Sequence, residues 1–126
     1  MRGTRTGKYK SKLEARVADL LKKKATYEAE KLEYLQPQKK RKYTPDFSLK
    51  KSSVLLEVKG RLTASDRQKM ILVRDQNPKR RIVFVFSAPE NRLYRGSATT
   101  YRMWAEANNF EWTTPEYMLD YLKEKP

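Results

Sequence analysis

The sequence contains no cysteine and no histidine. Disulfides are therefore impossible, and zinc sites nearly so. Ser/His/Asp and Cys/His catalysis are excluded, as is a histidine general base, so any hydrolytic chemistry must run on carboxylates, lysine and a metal. Apolar runs of membrane-spanning length are missing, and so is a leader of the secretory type. Those absences predict a soluble, cytoplasmic protein with no membrane partner. Acidic residues are scarce relative to basic ones: 15 Asp and Glu against 29 Lys and Arg, a formal charge of +14. Such an excess predicts an anionic partner, and phosphate binding that weakens steeply with salt. At 126 residues the length fits a single domain with a modest core.

The rest of the chain is organised around residues 43–60. Two short apolar-rich runs flank Lys50-Lys51-Ser52-Ser53, the pattern of a β-hairpin with a polar loop. Alternation puts Leu55, Glu57 and Lys59 on one face of the second strand, and Val54, Leu56 and Val58 on the other. A hairpin centred between Lys51 and Ser52 sets Asp46 opposite Glu57. Facing carboxylates repel, with Cβ atoms only ~5 Å apart. Two acids and a neighbouring lysine want a cation between them, and their oxygen ligands suit Mg²⁺ or Mn²⁺. The competing reading is a solvated face, since Glu-x-Lys arises readily on an exposed strand. Against it, Glu57 and Lys59 sit inside an apolar run, where a charge is costly unless paired or metal-bound.

Upstream, Met1–Lys10 reads as a flexible basic arm. Ser11 and Glu14 form a capping box that opens a helix carrying Leu13, Val17, Leu20 and Leu21 on one face and ending near Lys24. Residues 26–35 fit either a continuation of that helix or a strand with a slip, and the strand is preferred. The segment from Pro37 to Lys42 reads as an extended basic linker held off the core. Downstream, Thr63–Asp66 caps a second helix running to Gln76, and Ile82–Phe86 is a strand buried on both faces. Together with Val54–Lys59 these make a right-handed βαβ unit with a parallel strand pair. A polar loop from Ser87 to Ala98, a helix from about Thr99 to Asn108-Asn109 and an edge strand near Phe110–Trp112 follow. A last helix opens at Thr114-Pro115, with Tyr117, Leu119 and Leu122 as core candidates. Tyr94, Trp104 and Trp112 read as core or rim aromatics.

Pro45-Asp46, ten residues, then Glu57-Val58-Lys59 is the PD-(D/E)xK pattern of metal-dependent nucleases. The longer set of matches runs through Ser11-x-Leu13-Glu14, Tyr43–Phe47, Glu57–Gly60, Ser65-Asp66-Arg67-x-Lys69, Ile82–Phe84 and Leu93-Tyr94-x-Gly96-Ser97-x-Thr99-x-Tyr101. Over roughly residues 8–112 the chain resembles the phage-type endonuclease I family of Holliday-junction resolvases. That resemblance implies an α/β (α+β mixed) nuclease core, a central mixed sheet flanked by helices, in an intertwined, domain-swapped homodimer. It implies divalent metal, one or two Mg²⁺ ions with Mn²⁺ as substitute, held by Asp46, Glu57 and the Val58 carbonyl. Lys59 would complete the catalytic set, and Glu14 would join it from the other subunit. Residues 1–35 would be the exchanged arm and residues 36–42 the bridge, within one nuclease domain spanning 1–126. Glu28 aligns with a family acid only across a local gap. The implied substrate is branched DNA, a four-way junction, cut without an organic cofactor. Charge nominates Lys8, Lys10, Lys12, Lys39, Lys40, Arg41, Lys42, Arg67, Lys69 and Arg95, with Ser11, as contacts to the DNA. Cutting of unbranched duplex, and non-catalytic DNA binding, are the alternatives.

Overall fold

A computed structural model describes residues 7–36 and 39–125 of the chain. An interior strand of its main sheet is β6 (Arg81–Phe86), whose last five residues are all buried. That burial on both faces is what a continuous run of β-branched and aromatic residues demands. Four more strands complete the sheet: β1 (Ala25–Tyr27), β4 (Phe47–Leu49), β5 (Val54–Lys59) and β7 (Glu111–Thr113), in the order β1-β4-β5-β6-β7. The β1–β4 and β4–β5 pairs are antiparallel, whereas β5–β6 and β6–β7 are parallel. The sheet is therefore mixed, with its parallel half built on the β5–α2–β6 crossover, where α2 spans Ala64–Gln76.

Alternation along the strands divides the interior into two clusters. Leu55, Ile82, Phe84 and Phe86 pack beneath Met70 and Val73 of α2 and Tyr101, Trp104 and Ala105 of α3 (Tyr101–Ala107). Val54, Leu56, Val58, Val83 and Val85 meet Val17 and Leu21 of α1 (Lys12–Leu21) and Met118 of α4 (Met118–Glu124). Helices thus cover both faces of one sheet. Each fully buried Leu or Phe in these layers contributes about 1.5–3 kcal/mol. None of the helices among the described residues is long and apolar enough to cross a membrane.

Local chemistry sets the helix ends. Ser11 accepts the Glu14 N–H at 3.0 Å, one half of the expected capping box; the other half is not made, because the Glu14 carboxylate takes the Lys10 N–H in place of that of Ser11. Helix α1 stops at Leu21, a little earlier than expected: Lys22 takes a left-handed φ of 54°, and Lys22–Lys24 tighten into a 3₁₀ turn. The C-terminal helix starts later than Pro115 suggests. Residues 115–117 form a turn, and Tyr117 is 69% exposed while Met118 occupies the core position expected of it.

Two further expectations need correction. Residues 7–10 are not a free arm, because Tyr9 packs edge-on against Tyr27 with ring centroids 4.5 Å apart. Residues 1–6 lie outside the described residues. Nor is the basic segment an extended linker: Lys39–Tyr43 is β3, paired antiparallel with β2 (Leu32–Gln36) in a separate two-stranded sheet. The two residues between these strands lie outside the described residues as well. Tyr34 and Tyr43 sit in the α2-side core; of the basic residues Lys40 and Lys42 share the outer face of the hairpin, where Lys40 bridges diagonally to Glu33 at 2.9 Å, while Lys39 and Arg41 fall on the Tyr43 face. The slip suspected near residue 29 is the passage from β1 to β2. It begins at Glu28, whose φ is 45°.

Candidate active site

The β4–β5 register pairs Phe47 with Leu56 and Ser48 with Leu55. Continued one step, it sets Asp46 opposite Glu57, as the hairpin spacing predicts. Both carboxylates are buried, Glu57 at 4% and Asp46 at 9% exposure. Two acids so placed and so little hydrated are unfavourable unless something compensates them.

Compensation at Glu57 comes from the protein. The Tyr43 hydroxyl donates to Glu57 Oε1 at 2.5 Å, and Lys59 Nζ lies 3.2 Å from Oε2. Lys59 Nζ also lies 3.2 Å from Asp66 Oδ1 on the first turn of α2, so one ammonium bridges two acids. Burial pushes the Glu57 carboxyl above its usual range, against the opposing pull of Lys59 and Tyr43. Burial also disfavours the Lys59 charge, but Glu57 and Asp66 prevail and raise its pKa, keeping the ammonium protonated.

Asp46 has less help. Its Oδ2 accepts the Val58 N–H at 2.8 Å. Burial first, then the charge of Glu57, push its carboxyl up to about 8 from an ordinary 3.8, with Glu14 adding to the shift. On its other side one carboxylate oxygen each of Glu14, Glu28 and Asp46 lie within 4.8 Å of one another. Glu14 projects from α1, where Tyr27 O–H donates to its Oε1 at 2.8 Å and the Lys10 N–H at 3.1 Å. Glu28 reaches the same point because the chain turns sharply after β1. Its left-handed backbone costs roughly 1–2 kcal/mol, and its N–H donates to the Asp46 carbonyl at 3.0 Å. Lys10 Nζ lies 3.1 Å from Glu28, the one cation paired with this trio among the described residues.

An all-oxygen set with three converging carboxylates, one of them held off its charge, fits a hard divalent cation. Asp46 belongs to two neighbourhoods: its carboxylate converges with those of Glu14 and Glu28, and it feels the charges of Glu57 and Lys59. The chain thus brings together Glu14, Asp46, Glu57 and Lys59, with Val58 contributing its N–H to Asp46. In this single chain Glu14 comes from the same polypeptide as Asp46.

The nominated basic residues divide into groups. Arg41, Lys42 and Lys69 line one cleft of about 620 Å³ between the β2–β3 hairpin and α2, together with Ser65 and Gln68. Lys69 also stacks its ammonium over Tyr43, 5.6 Å from the ring centroid. Arg67 lines a second cleft, and Arg95 is exposed on the loop beside it. Lys39 and Lys40 are exposed on the hairpin, and Lys12 on α1. Lys8 lies over the Tyr9 ring, Lys10 is committed to Glu28, and Ser11 is the helix cap.

Sequence reasoning undervalued four residues. Glu28 carried only an insecure alignment, and nothing local announces its turn into the site. Asp66 was legible as a cap but not as the partner of Lys59. Tyr27 and Tyr43 read as strand aromatics, and only the folded chain shows their hydroxyls on Glu14 and Glu57.

The comparisons with known proteins place the chain in a family. The sequence profile described as phage endonuclease I matches residues 1–126. Endonuclease I of Escherichia phage T7 is 33% identical over 123 residues, which is 95% of this chain and 82% of the relative. Endodeoxyribonuclease 1 of Enterobacteria phage T3 is 38% identical over 101 residues, 78% of this chain and 66% of the relative. With its mixed sheet, its buried acids on the β4–β5 hairpin and these matches, the chain belongs to the phage endonuclease I family.

Proposed function

We propose that this endonuclease is a divalent-metal-dependent, structure-selective enzyme that resolves four-way and other branched DNA junctions by paired strand cleavage. The observation that carries the reading is the convergence of Asp46 with Glu14 and Glu28 within reach of the Glu57–Lys59 pair's charges, in a chain of charge +14. Asp46, Glu57 and the Val58 carbonyl would hold Mg²⁺ or Mn²⁺, with Glu14 and Glu28 closing the set. Such an ion supplies Lewis acidity and an activated water. The chain's own part is to aim the acids and to place a cation where charge develops. Tyr43 fixes one oxygen of Glu57, and Lys59, steadied by Asp66, stands ready for the charge on the phosphate. Arg41, Lys42 and Lys69 would receive the DNA backbone, which is positioning rather than base reading.

Resolution needs two cuts, and a homodimer supplies two sites related by symmetry. Opening of the β2–β3 hairpin would let residues 1–35 exchange, so that Glu14 completes the partner's site with the contacts it makes here. Sedimentation at micromolar concentration should give twice the monomer mass, and a monomer would rule out the exchange.

Competition between a four-way junction and a linear duplex of equal length, in Mg²⁺, tests the substrate. Preference for the junction by tenfold or more supports the reading (about 1.4 kcal/mol); equal cutting of both would favour a duplex nuclease. Glu57→Ala should abolish cleavage while junction binding survives.

A further inference from the structure

Arg61, Leu62, Thr63, Ala64, Arg67, Leu93, Tyr94 and Tyr101 enclose a cleft of about 280 Å³ at the end of β5. Only Gly60 separates Lys59 from Arg61, at most about 7 Å of chain, so the cleft adjoins the acidic site. No carboxylate lines it, and among the described residues neither Arg61, Arg67 nor Arg95 pairs with one. Arg67 is held across the wall by an Nη1–H bond to the Leu62 carbonyl at 2.9 Å.

Tyr94 is the unusual member. Trp104 is buried in the core and Trp112 packs against it, but Tyr94 is 64% exposed. Its loop is nevertheless well braced. The Leu93 N–H donates to the Thr99 carbonyl at 2.9 Å, and the Ser97 N–H to the Tyr94 carbonyl at 3.0 Å. Ser97 is buried, its Oγ accepting the Thr99 N–H at 3.0 Å, and Gly96 takes the φ of 89° that closes the turn. A rigid loop therefore presents an unpacked aromatic ring over a small cleft, with Arg61 and Arg67 in its wall and Arg95 beside it. Aromatic faces among unpaired cations are how proteins receive single-stranded nucleic acid. The cleft has room for one base rather than for a duplex.

We propose that Tyr94 and this cleft form a stacking site for one unpaired deoxynucleotide of the strand that passes the acidic site. This rests on the DNA-endonuclease reading and deepens it: a branch point at which base pairs have opened offers such a nucleotide, and an intact duplex does not. Arg61 and Arg67 would meet its phosphates, and the phenol ring would cover the base.

The test uses the full chain in EDTA, with the trinucleotide TXT, where X is 2-aminopurine, as the probe, read by fluorescence. Stacking is worth about tenfold in affinity per base. Tyr94→Ala should therefore weaken trinucleotide binding about tenfold, while Tyr94→Phe stays within about twofold of the parent. Tyr117→Ala, which removes an exposed tyrosine elsewhere, should change nothing. Tyr94 is exposed, so circular dichroism melts should coincide for all variants. Equal quenching by Tyr94→Ala and the parent overturns the proposal. So does a Tyr94→Ala variant that changes oligomeric state but binds the trinucleotide normally, which would make the ring a protein contact. Cleavage in Mg²⁺, measured in parallel, keeps the two readings apart. A parent that quenches through Tyr94 but never cuts refutes the nuclease and leaves the stacking site standing.

Discussion

A carboxylate arranged to receive a cation should be uncomfortable without one, and Asp46 carries that discomfort in its titration. Its folded pKa is raised from 3.8 to about 8. Between those values the native chain holds a proton that the unfolded chain has released. This group's contribution to stability is therefore full below the unfolded pKa and lost as pH rises through the folded one. In EDTA, thermal stability should fall between pH 4 and pH 8 on account of Asp46, and Asp46→Asn should flatten that fall. At pH 8 the variant should be more stable than the parent by on the order of 2 kcal/mol, as chemical denaturation would measure; a variant with the parent's slope would contradict the assignment. Mg²⁺ should raise the melting temperature of the parent more at pH 8 than at pH 5, because binding must displace the proton. Lys59 presents the opposite case. Lys59→Met leaves Glu57 and Asp66 facing one another without their shared ammonium, and should cost about 3 kcal/mol at neutral pH. Lys59→Arg, which keeps a cation there, should recover much of that stability. If the methionine variant were as stable as the parent, the bridging role would be wrong.

At the scale of elements, α2 couples fold to site through its first turn. Thr63 accepts the Asp66 N–H and Asp66 accepts the Thr63 N–H, both at 3.1 Å. Thr63→Ala should cost about 1 kcal/mol with cleavage unchanged. Asp66→Ala loses the same box and also frees Lys59, so it should lower the cleavage rate as well. Equal activities in the two variants would separate the cap from the chemistry. Much at this scale was legible beforehand. The β5 alternation, the α2 capping pattern and the apolar run of β6 each pointed to one structure, and the hairpin register followed from its loop. The β2–β3 hairpin was not legible, because Lys39-Lys40-Arg41-Lys42 shows no apolar alternation until Tyr43. Its strand form rests on tertiary contact: Tyr34 and Tyr43 enter the core, and Gln76 of α2 exchanges two hydrogen bonds with the backbone of Leu35. The left-handed turn at Glu28 was equally silent, since no glycine or asparagine marks it.

For the whole molecule, charge decides how the site meets its substrate. The net charge of +14 and the cleft containing Arg41, Lys42 and Lys69 imply DNA binding that falls steeply with salt. Each cation withdrawn from a phosphate should reduce the log–log salt slope by about 0.9. Arg41→Ala combined with Lys69→Ala should therefore flatten it by nearly twice that amount. An unchanged slope would move the DNA to another face. Composition supplied this part of the reading, but not the position of the grip, which depends on hairpin and helix meeting across the cleft. The central claim is that Asp46 and its neighbours hold a divalent cation. Its most direct measurement is anomalous diffraction from crystals of the protein soaked in Mn²⁺. The account predicts a manganese peak within bonding distance of the Asp46 carboxylate and lost in Asp46→Asn. Manganese bound elsewhere while the Asp46 side chain stays empty would contradict it.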